Sequence, residues 1–177
     1  MLYYKKIASS LGELTLRSDG EALTGLWFEN DKHYGNKDIA GAVEAELPVF
    51  ELAEKWLAEY FSGKEPETHV PLKFLGSTFQ QLIWTQLQKI SYGQLITYGD
   101  IAKAVAEEKC IKQMSAQAVG GAVGHNPLCI IVPCHRVIGK NRSLTGYAGG
   151  IWRKVQLLKL EGVDMSKLTV PTKGTAL

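Results

Sequence analysis

The sequence predicts an α+β protein in two parts: a small N-terminal α/β domain over residues 1–69 and a mostly helical domain over residues 70–177. Three observations predict it. Strand-like runs come first in the chain and helical spacing dominates later. Between them "SGKEPETHVPLKFLGS" (62–77), with two prolines, two glycines and clustered charge, reads as a linker. The charge also changes sign there: residues 1–69 carry 7 Lys/Arg against 13 Asp/Glu, a balance of −6, and residues 70–177 carry 13 against 5, a balance of +8. The 177 residues suffice for one large or two small domains.

In the first part, "LYYKKIAS" and "LGELTLRS" pair as a hairpin turning at residues 9–12, followed by a third strand, "ALTGLWFE". A helix runs from Pro48 to Gly63. Proline suits its first turn, and Val49, Leu52, Ala53, Trp56, Leu57 and Tyr60 form an apolar stripe. Nothing in this part carries a chemical motif.

The second part opens with a capping box, Ser77-x-x-Gln80, ahead of a helix whose apolar positions are Phe79, Leu82, Ile83, Leu87 and Ile90. Thr97-x-x-Asp100 starts another helix, "TYGDIAKAVA", and a polar segment, "EEKCIKQM", follows. Ser115 is the expected N-cap of a third, "SAQAVGGAVGH". Two short helices joined by a turn in a basic region read either as a helix-turn-helix or as an ordinary packed pair. The third helix carries Ala116, Ala118, Gly120, Gly121 and Ala122. Each helical glycine costs about 1 kcal/mol relative to alanine, so a close neighbour is expected there, either another element or a nucleic-acid backbone. Asn126-Pro127 ends this helix. "LCIIV" reads as a buried extended segment, and "GGIWRKVQLLKLEG" as a final helix with Ile151, Trp152, Val155 and Leu158 on its apolar face and Gly162 as its stop.

Composition excludes several classes. No apolar run approaches the roughly 20 residues that span a bilayer, and the N-terminus lacks the apolar stretch of a signal peptide. Three cysteines, Cys110, Cys129 and Cys134, argue for a reducing compartment, so a cytoplasmic protein is expected. The histidines are scattered and no CxxC or HExxH spacing occurs, so no metal is expected. The basic second half points to a polyanion, with nucleic acid the first candidate.

The chemistry concentrates in "IIVPCHRVIG" (130–139). A thiolate is the reactive form of cysteine, and cations favour it; Cys134 is followed by His135 and Arg136. On an extended chain adjacent side chains point to opposite faces, so a turn at Pro133 or a bridging water must connect thiol and imidazole. Cys110 and Cys129 read as inert packing. A histidine base needs an orienting partner. Glu161, in the last turn of the final helix, meets the unfavourable end of the helix dipole, and reads either as a tolerated surface residue or as a carboxylate held against His135.

"NPLCIIVPCHRVIG", "TGYAGG" and "LLKLEG" together resemble the O6-alkylguanine-DNA alkyltransferases, the methylated-DNA–protein-cysteine methyltransferases. The resemblance covers roughly residues 72–163 and, more weakly, the acidic N-terminal part. It implies a ribonuclease-H-like first domain, a winged helix-turn-helix in the second, and single-turnover transfer of an alkyl group from O6-alkylguanine, and from O4-alkylthymine, to the protein itself. Cys134 matches the acceptor, His135 the base acting through water, and Glu161 the carboxylate orienting it. Asn126 matches the brace of the active-site turn and Tyr98 the donor to the guanine ring nitrogen. The carbonyls of Cys134 and Val137 match acceptors for the exocyclic amine, and Tyr147 and Ala148 line the pocket. The implied partner is double-stranded DNA, bound by a monomer through the minor groove with the target nucleotide flipped out. Ser115, Ala116, Gln117, Ala118 and Gly120 supply the groove contact, with Arg136 and Lys140 beside it. No cofactor is implied, and a thioether product leaves no route back to the thiol.

The sequence departs from the family in three ways. Gln117 stands where the family carries an arginine that fills the gap left by the flipped base. The turn "AEEKCIKQM" is longer than in compact members. The first domain lacks cysteines, so the structural zinc of some relatives is not expected. Two rival readings remain. A non-catalytic binder of alkylated DNA would lack Cys134, and a cysteine hydrolase with a Cys-His-Glu triad would turn over a thioester or peptide.

Overall fold

The computed structural model of the chain describes residues 1–172; the last five residues of the second expected domain lie outside the described residues. Chain contacts divide the molecule into two compact units, Met1–Leu75 and Gly76 onward. The protein is α+β, a sheet-bearing first unit and a helical second one.

The first unit holds β1 (Tyr3–Ile7), β2 (Leu14–Ser18), β3 (Leu23–Phe28) and β4 (Val43–Glu44) in the order β3-β2-β1-β4. The first three strands pair antiparallel and β4 joins β1 in parallel. The expected hairpin closes through reciprocal backbone bonds between Ser9 and Gly12. The segment expected as a linker folds back as far as β3, where Leu23 N–H donates to Pro71 and Lys73 N–H to Leu23. Helix α1 (Pro48–Phe61) packs on β2 and β3. Its buried face is Val49, Phe50, Ala53, Leu57 and Tyr60. Leu52, expected inside, is 37 % exposed, because the stripe is turned toward Phe50.

Strand β2 is buried along its whole length and carries a buried arginine. Arg17 donates to the Thr24 hydroxyl at 3.2 Å and to the Thr24 and Asp38 carbonyls at 3.1 Å each. Its guanidinium lies over the Trp27 ring at 5.5 Å.

The second unit holds α2 (Thr78–Leu87), β5 (Ile96–Thr97), α3 (Tyr98–Glu108), α4 (Ala116–Gly124), β6 (Val137–Ile138) and α5 (Ile151–Leu160). The expected capping box of Ser77 with Gln80 forms, Thr97 and Asp100 also form a full one at the start of α3, and Ser115 caps α4 through the Ala118 N–H. Helices α2, α3 and α4 pack on one another, and the buried Trp84 indole donates to the Ala122 carbonyl at 2.8 Å. Helix α3 continues to Glu108, absorbing part of the expected polar segment. It ends with Cys110 in the left-handed region (φ 54) and Ile111 N–H bonded back to Ala106, a Schellman-type stop. Cys110 is therefore exposed, not packed as expected. Strands β5 and β6 pair in parallel, which sets Thr97 opposite Ile138 and brings the start of α3 to the chain following Cys134.

Two further expectations change. "LCIIV" is buried but not extended: Val132 N–H bonds to Leu128 and Ile131 N–H to Cys129, a tight double turn with Ile130 at φ 66. In α5 the buried face is Ile151, Arg153, Lys154, Leu157 and Leu158, while Trp152 is 55 % exposed and lies over Arg153. Among the described residues no helix is long and apolar enough to cross a membrane.

Candidate active site

The site is built from the turn that delivers Cys134. Asn126, just past the end of α4, bridges the loop that follows: its amide donates to the Val132 carbonyl at 2.8 Å and its oxygen accepts from Leu128 N–H at 3.0 Å. Buried Ile130 sits within this loop at positive φ, a genuine outlier for a β-branched residue and a mark of local strain. At Pro133 (φ −83, ψ 62) the chain makes an inverse γ-turn, closed by Cys134 N–H on the Val132 carbonyl at 2.9 Å. Cys134, His135 and Arg136 then form a single 3₁₀ turn. A turn, not an extended run, sets the relation of thiol and imidazole.

Cys134 is 8 % exposed and His135 fully buried. His135 Nε2 lies 2.6 Å from Glu161 Oε1. Arg136 grips the same carboxylate with two prongs, Nε to Oε2 at 2.9 Å and Nη2 to Oε1 at 3.0 Å, and its third prong reaches the Ile90 carbonyl at 2.6 Å. Gly93 N–H adds a bond to Oε2 at 3.0 Å. Gly93 has φ 72, and a Cβ there would stand 3.1 Å from the Glu161 carbonyl, so the close approach needs glycine. Of the two readings of Glu161, the buried one is correct: it caps the end of α5, where the dipole penalty is offset by a guanidinium and several donors.

Electrostatics follow from these contacts. Burial pushes the Glu161 carboxyl up, but the hydrogen bonds from His135 and Arg136 outweigh it and hold the group well below the usual carboxylate range. Burial lowers His135, and the bond to Glu161 offsets this only in part, with Arg136 and Lys154 adding to the fall. Both directions favour an ionised Glu161 beside a neutral imidazole.

Tyr98, first residue of α3, donates to the Thr145 carbonyl at 3.0 Å. Burial, reinforced by the nearby Cys134, pushes its phenol up to about 12, so it stays a donor at neutral pH. The small residue at position 120 meets this ring: a Cβ on Gly120 would lie 3.7 Å from it, whereas Gly121 faces open space. That is ordinary contact distance, so neither glycine is required by a close approach, and the close neighbour expected from the composition of α4 is not found among the described residues. Tyr147 is buried and Ala148 half-buried in the loop before α5.

The structure gathers Cys134, His135, Glu161, Asn126, Tyr98 and Val137 into one region. It does not bring Ser115, Ala116, Gln117, Ala118 and Lys140 there; all five are exposed. Arg136 changes its place: expected on DNA, it is 7 % exposed, with its donors taken by Glu161 and Ile90. Lys154 was not anticipated. It is fully buried, and Nζ donates to the carbonyls of Val137 (2.5 Å), Thr145 (3.1 Å) and Gly146 (3.4 Å). Its spacing from Ile151, Leu157 and Leu158 places it on the inner face of α5, and that was the available signal. Among the described residues no group of three or more His, Cys, Asp or Glu is placed to hold a metal ion.

Comparison with known proteins places this geometry in a family. The family model for the 6-O-methylguanine DNA methyltransferase DNA binding domain matches residues 78–163, and that for the same enzymes' ribonuclease-like domain matches residues 2–74. A methylated-DNA–protein-cysteine methyltransferase from Haemophilus influenzae is 43% identical over 175 residues, spanning 98% of this chain and 91% of that protein. The constitutive enzyme of that name from Bacillus subtilis is 39% identical over 166 residues, 93% of this chain and 98% of its own. The crystal structure of Mycobacterium tuberculosis OGT in complex with DNA superposes with a TM-score of 0.80 at 40% identity, covering 94% of each chain. With both parts matched and a cysteine, histidine and carboxylate assembled in the second, the chain belongs to the 6-O-methylguanine DNA methyltransferase family.

Proposed function

We propose that this protein repairs DNA by moving the alkyl group of O6-alkylguanine to the sulfur of Cys134, once per molecule. The observation that carries the reading is the buried chain running from Cys134 through His135 to a Glu161 locked by Arg136. Glu161 holds Nε2, and the thiol proton passes through a water to Nδ1. The thiolate then attacks the alkyl carbon in line. The C–S bond forms as the C–O6 bond breaks, and the electron pair leaves with guanine. Tyr98 turns its hydroxyl from Thr145 to the guanine ring nitrogen and eases that departure. The Val137 carbonyl keeps a lone pair for the exocyclic amine beside its bond to Lys154. The product is a thioether, and no group in the site reverses it.

For DNA, we take α3, the 109–115 segment and α4 as a helix-turn-helix whose exposed Ser115, Ala116, Gln117 and Ala118 enter the minor groove while Lys140 meets phosphate. The exposure of these residues, their small size and the match to a DNA binding domain support this. The O6 atom is inaccessible within stacked duplex, so the nucleotide must swing out, with Gln117 entering the gap. The protein works as a monomer of two domains.

Intact-protein mass spectrometry after exposure to O6-methylguanine duplex tests the reading. One methyl group per molecule, mapped to the Cys134 peptide, is expected. Repeated turnover, or label on Cys110 or Cys129, overturns it.

A further inference from the structure

Lys154 has no place in the steps above, yet it is the most deeply buried amine among the described residues. Its three partners are backbone carbonyls. Among the described residues no carboxylate lies within ion-pair distance of it. A buried ammonium without a counter-ion is costly, so its retention calls for a compensating charge.

The groups around the thiol show where that charge arises. The 3₁₀ turn contributes neutral His135 and charged Arg136; the end of α5 contributes Glu161, which Arg136 neutralises. Tyr98 from α3 and Tyr147 from the following loop are uncharged. Lys154 adds one positive charge. The pocket therefore holds a net +1, and moving the thiol proton to His135 leaves that sum unchanged while it places an anion on sulfur, for which the ammonium is a fixed counter-charge. Lys154 is also bonded to Val137, whose own N–H is bonded to the Cys134 carbonyl, so the amine is fixed against the turn bearing the sulfur.

We infer that Lys154 is a positioning residue for the transfer reaction, its buried ammonium serving as the counter-charge of the Cys134 thiolate while its three hydrogen bonds tie β6 to the Thr145–Gly146 loop. The S–H bond breaks, the proton passes to His135, the electron pair stays on sulfur, and Lys154 keeps its own proton. Burial lowers the Lys154 amine to about 8, and Cys134 acts in the opposite direction, the coupling this role requires. At neutral pH the amine remains charged. The inference rests on Cys134 being the acceptor, but it concerns a property that can be measured without DNA.

The test is the pH dependence of Cys134 carboxamidomethylation by iodoacetamide, followed by peptide mass spectrometry, in the full chain and in Lys154→Met and Lys154→Gln. Both variants should raise the midpoint by about one pH unit or more, since cationic neighbours lower cysteine pKa values by that much and beyond. Glutamine keeps donors without charge, so a wild-type midpoint in Lys154→Gln overturns the counter-charge role, as does an unmoved midpoint in Lys154→Met. A second measurement needs no variant. In ¹³C-lysine-labelled wild-type protein, converting Cys134 to its neutral carboxamidomethyl thioether should lower the titration midpoint of the buried lysine, and an unchanged midpoint overturns the inference. A wild type that shows these shifts but takes no methyl from O6-methylguanine DNA would sink the proposed function and leave the Lys154–Cys134 coupling standing.

Discussion

Arg17 and Arg136 are buried almost equally, 9 % and 7 % exposed, and each lies over an aromatic ring, Trp27 at 5.5 Å and Tyr92 at 5.6 Å. Their acceptors differ. Arg17 spends its donors on a hydroxyl and two carbonyls, all uncharged, and joins β2 to β3 and to the chain at Asp38. Arg136 spends two of its three on a carboxylate that also touches a histidine beside a thiol. Burial of a charge therefore does not identify a reactive centre. What identifies it is whether the charge fixes the ionisation of another group. Arg17 fixes geometry alone; Arg136 keeps Glu161 anionic, and Glu161 in turn sets the proton on His135.

Mutation can break this contrast. The largest effect is expected for Glu161→Gln, which leaves His135 without its anionic partner. Single-turnover methyl transfer should slow by about 10²–10⁴-fold, the usual span for an acid–base group, with duplex affinity little changed; an unaltered rate would return Glu161 to a structural role. Next comes Arg136→Met. It strands a buried carboxylate, and urea unfolding should show a loss of about 3–5 kcal/mol, as for other broken buried pairs. Arg17→Met should cost less, about 1–3 kcal/mol, because it strands only uncharged acceptors, and the methyl-transfer rate of the folded fraction should stay at the wild-type value. If Arg17→Met slowed transfer as Glu161→Gln does, the distinction between the two arginines would collapse.

The smallest effect is in pH. Burial holds folded His135 below its ordinary 6.5, so as pH falls through 6.5 the unfolded chain gains a proton that the folded one refuses, and stability drops. The slope is at most about 1.4 kcal/mol per pH unit. Glu161 joins only later. Its stabilising contribution is complete above the ordinary value of 4.5 and is lost as pH falls toward its depressed folded value. The part of the slope between pH 6.5 and 4.5 that belongs to His135 should vanish in His135→Gln, measured by urea midpoints.

How much of this was legible in the sequence depended on range. Local signals held: Ser77 with Gln80 and Thr97 with Asp100 cap their helices through side chains three residues apart. The thiol, the imidazole and the carboxylate were named from motif and dipole. Long-range pairing was not legible. The resemblance places Arg136 beside the groove contact, and the carboxylate that holds it instead lies 25 residues on. "LCIIV" looked like a strand because a buried turn and a buried strand share the same apolar run, and the positive φ of Ile130 is imposed by tertiary structure. Lys154 drew no reading from the sequence, where it follows Arg153 in the last helix. Only the packed structure turns Lys154 inward and leaves Trp152 outside.

The contacts that surround Cys134 come from distant stretches of chain: Ile90 and Gly93 before it, Thr145 and Lys154 after it, and Glu161 later still. On the ribosome, chains fold from the N-terminal side as they emerge. The first unit can therefore be complete while the second, and with it the surroundings of Cys134, is still unfolded. Through that interval the nascent thiol has only the reactivity of a free cysteine. Only when the α5 helix and Glu161 have packed against the 3₁₀ turn does the thiol have the hydrogen-bonded imidazole–carboxylate pair beside it.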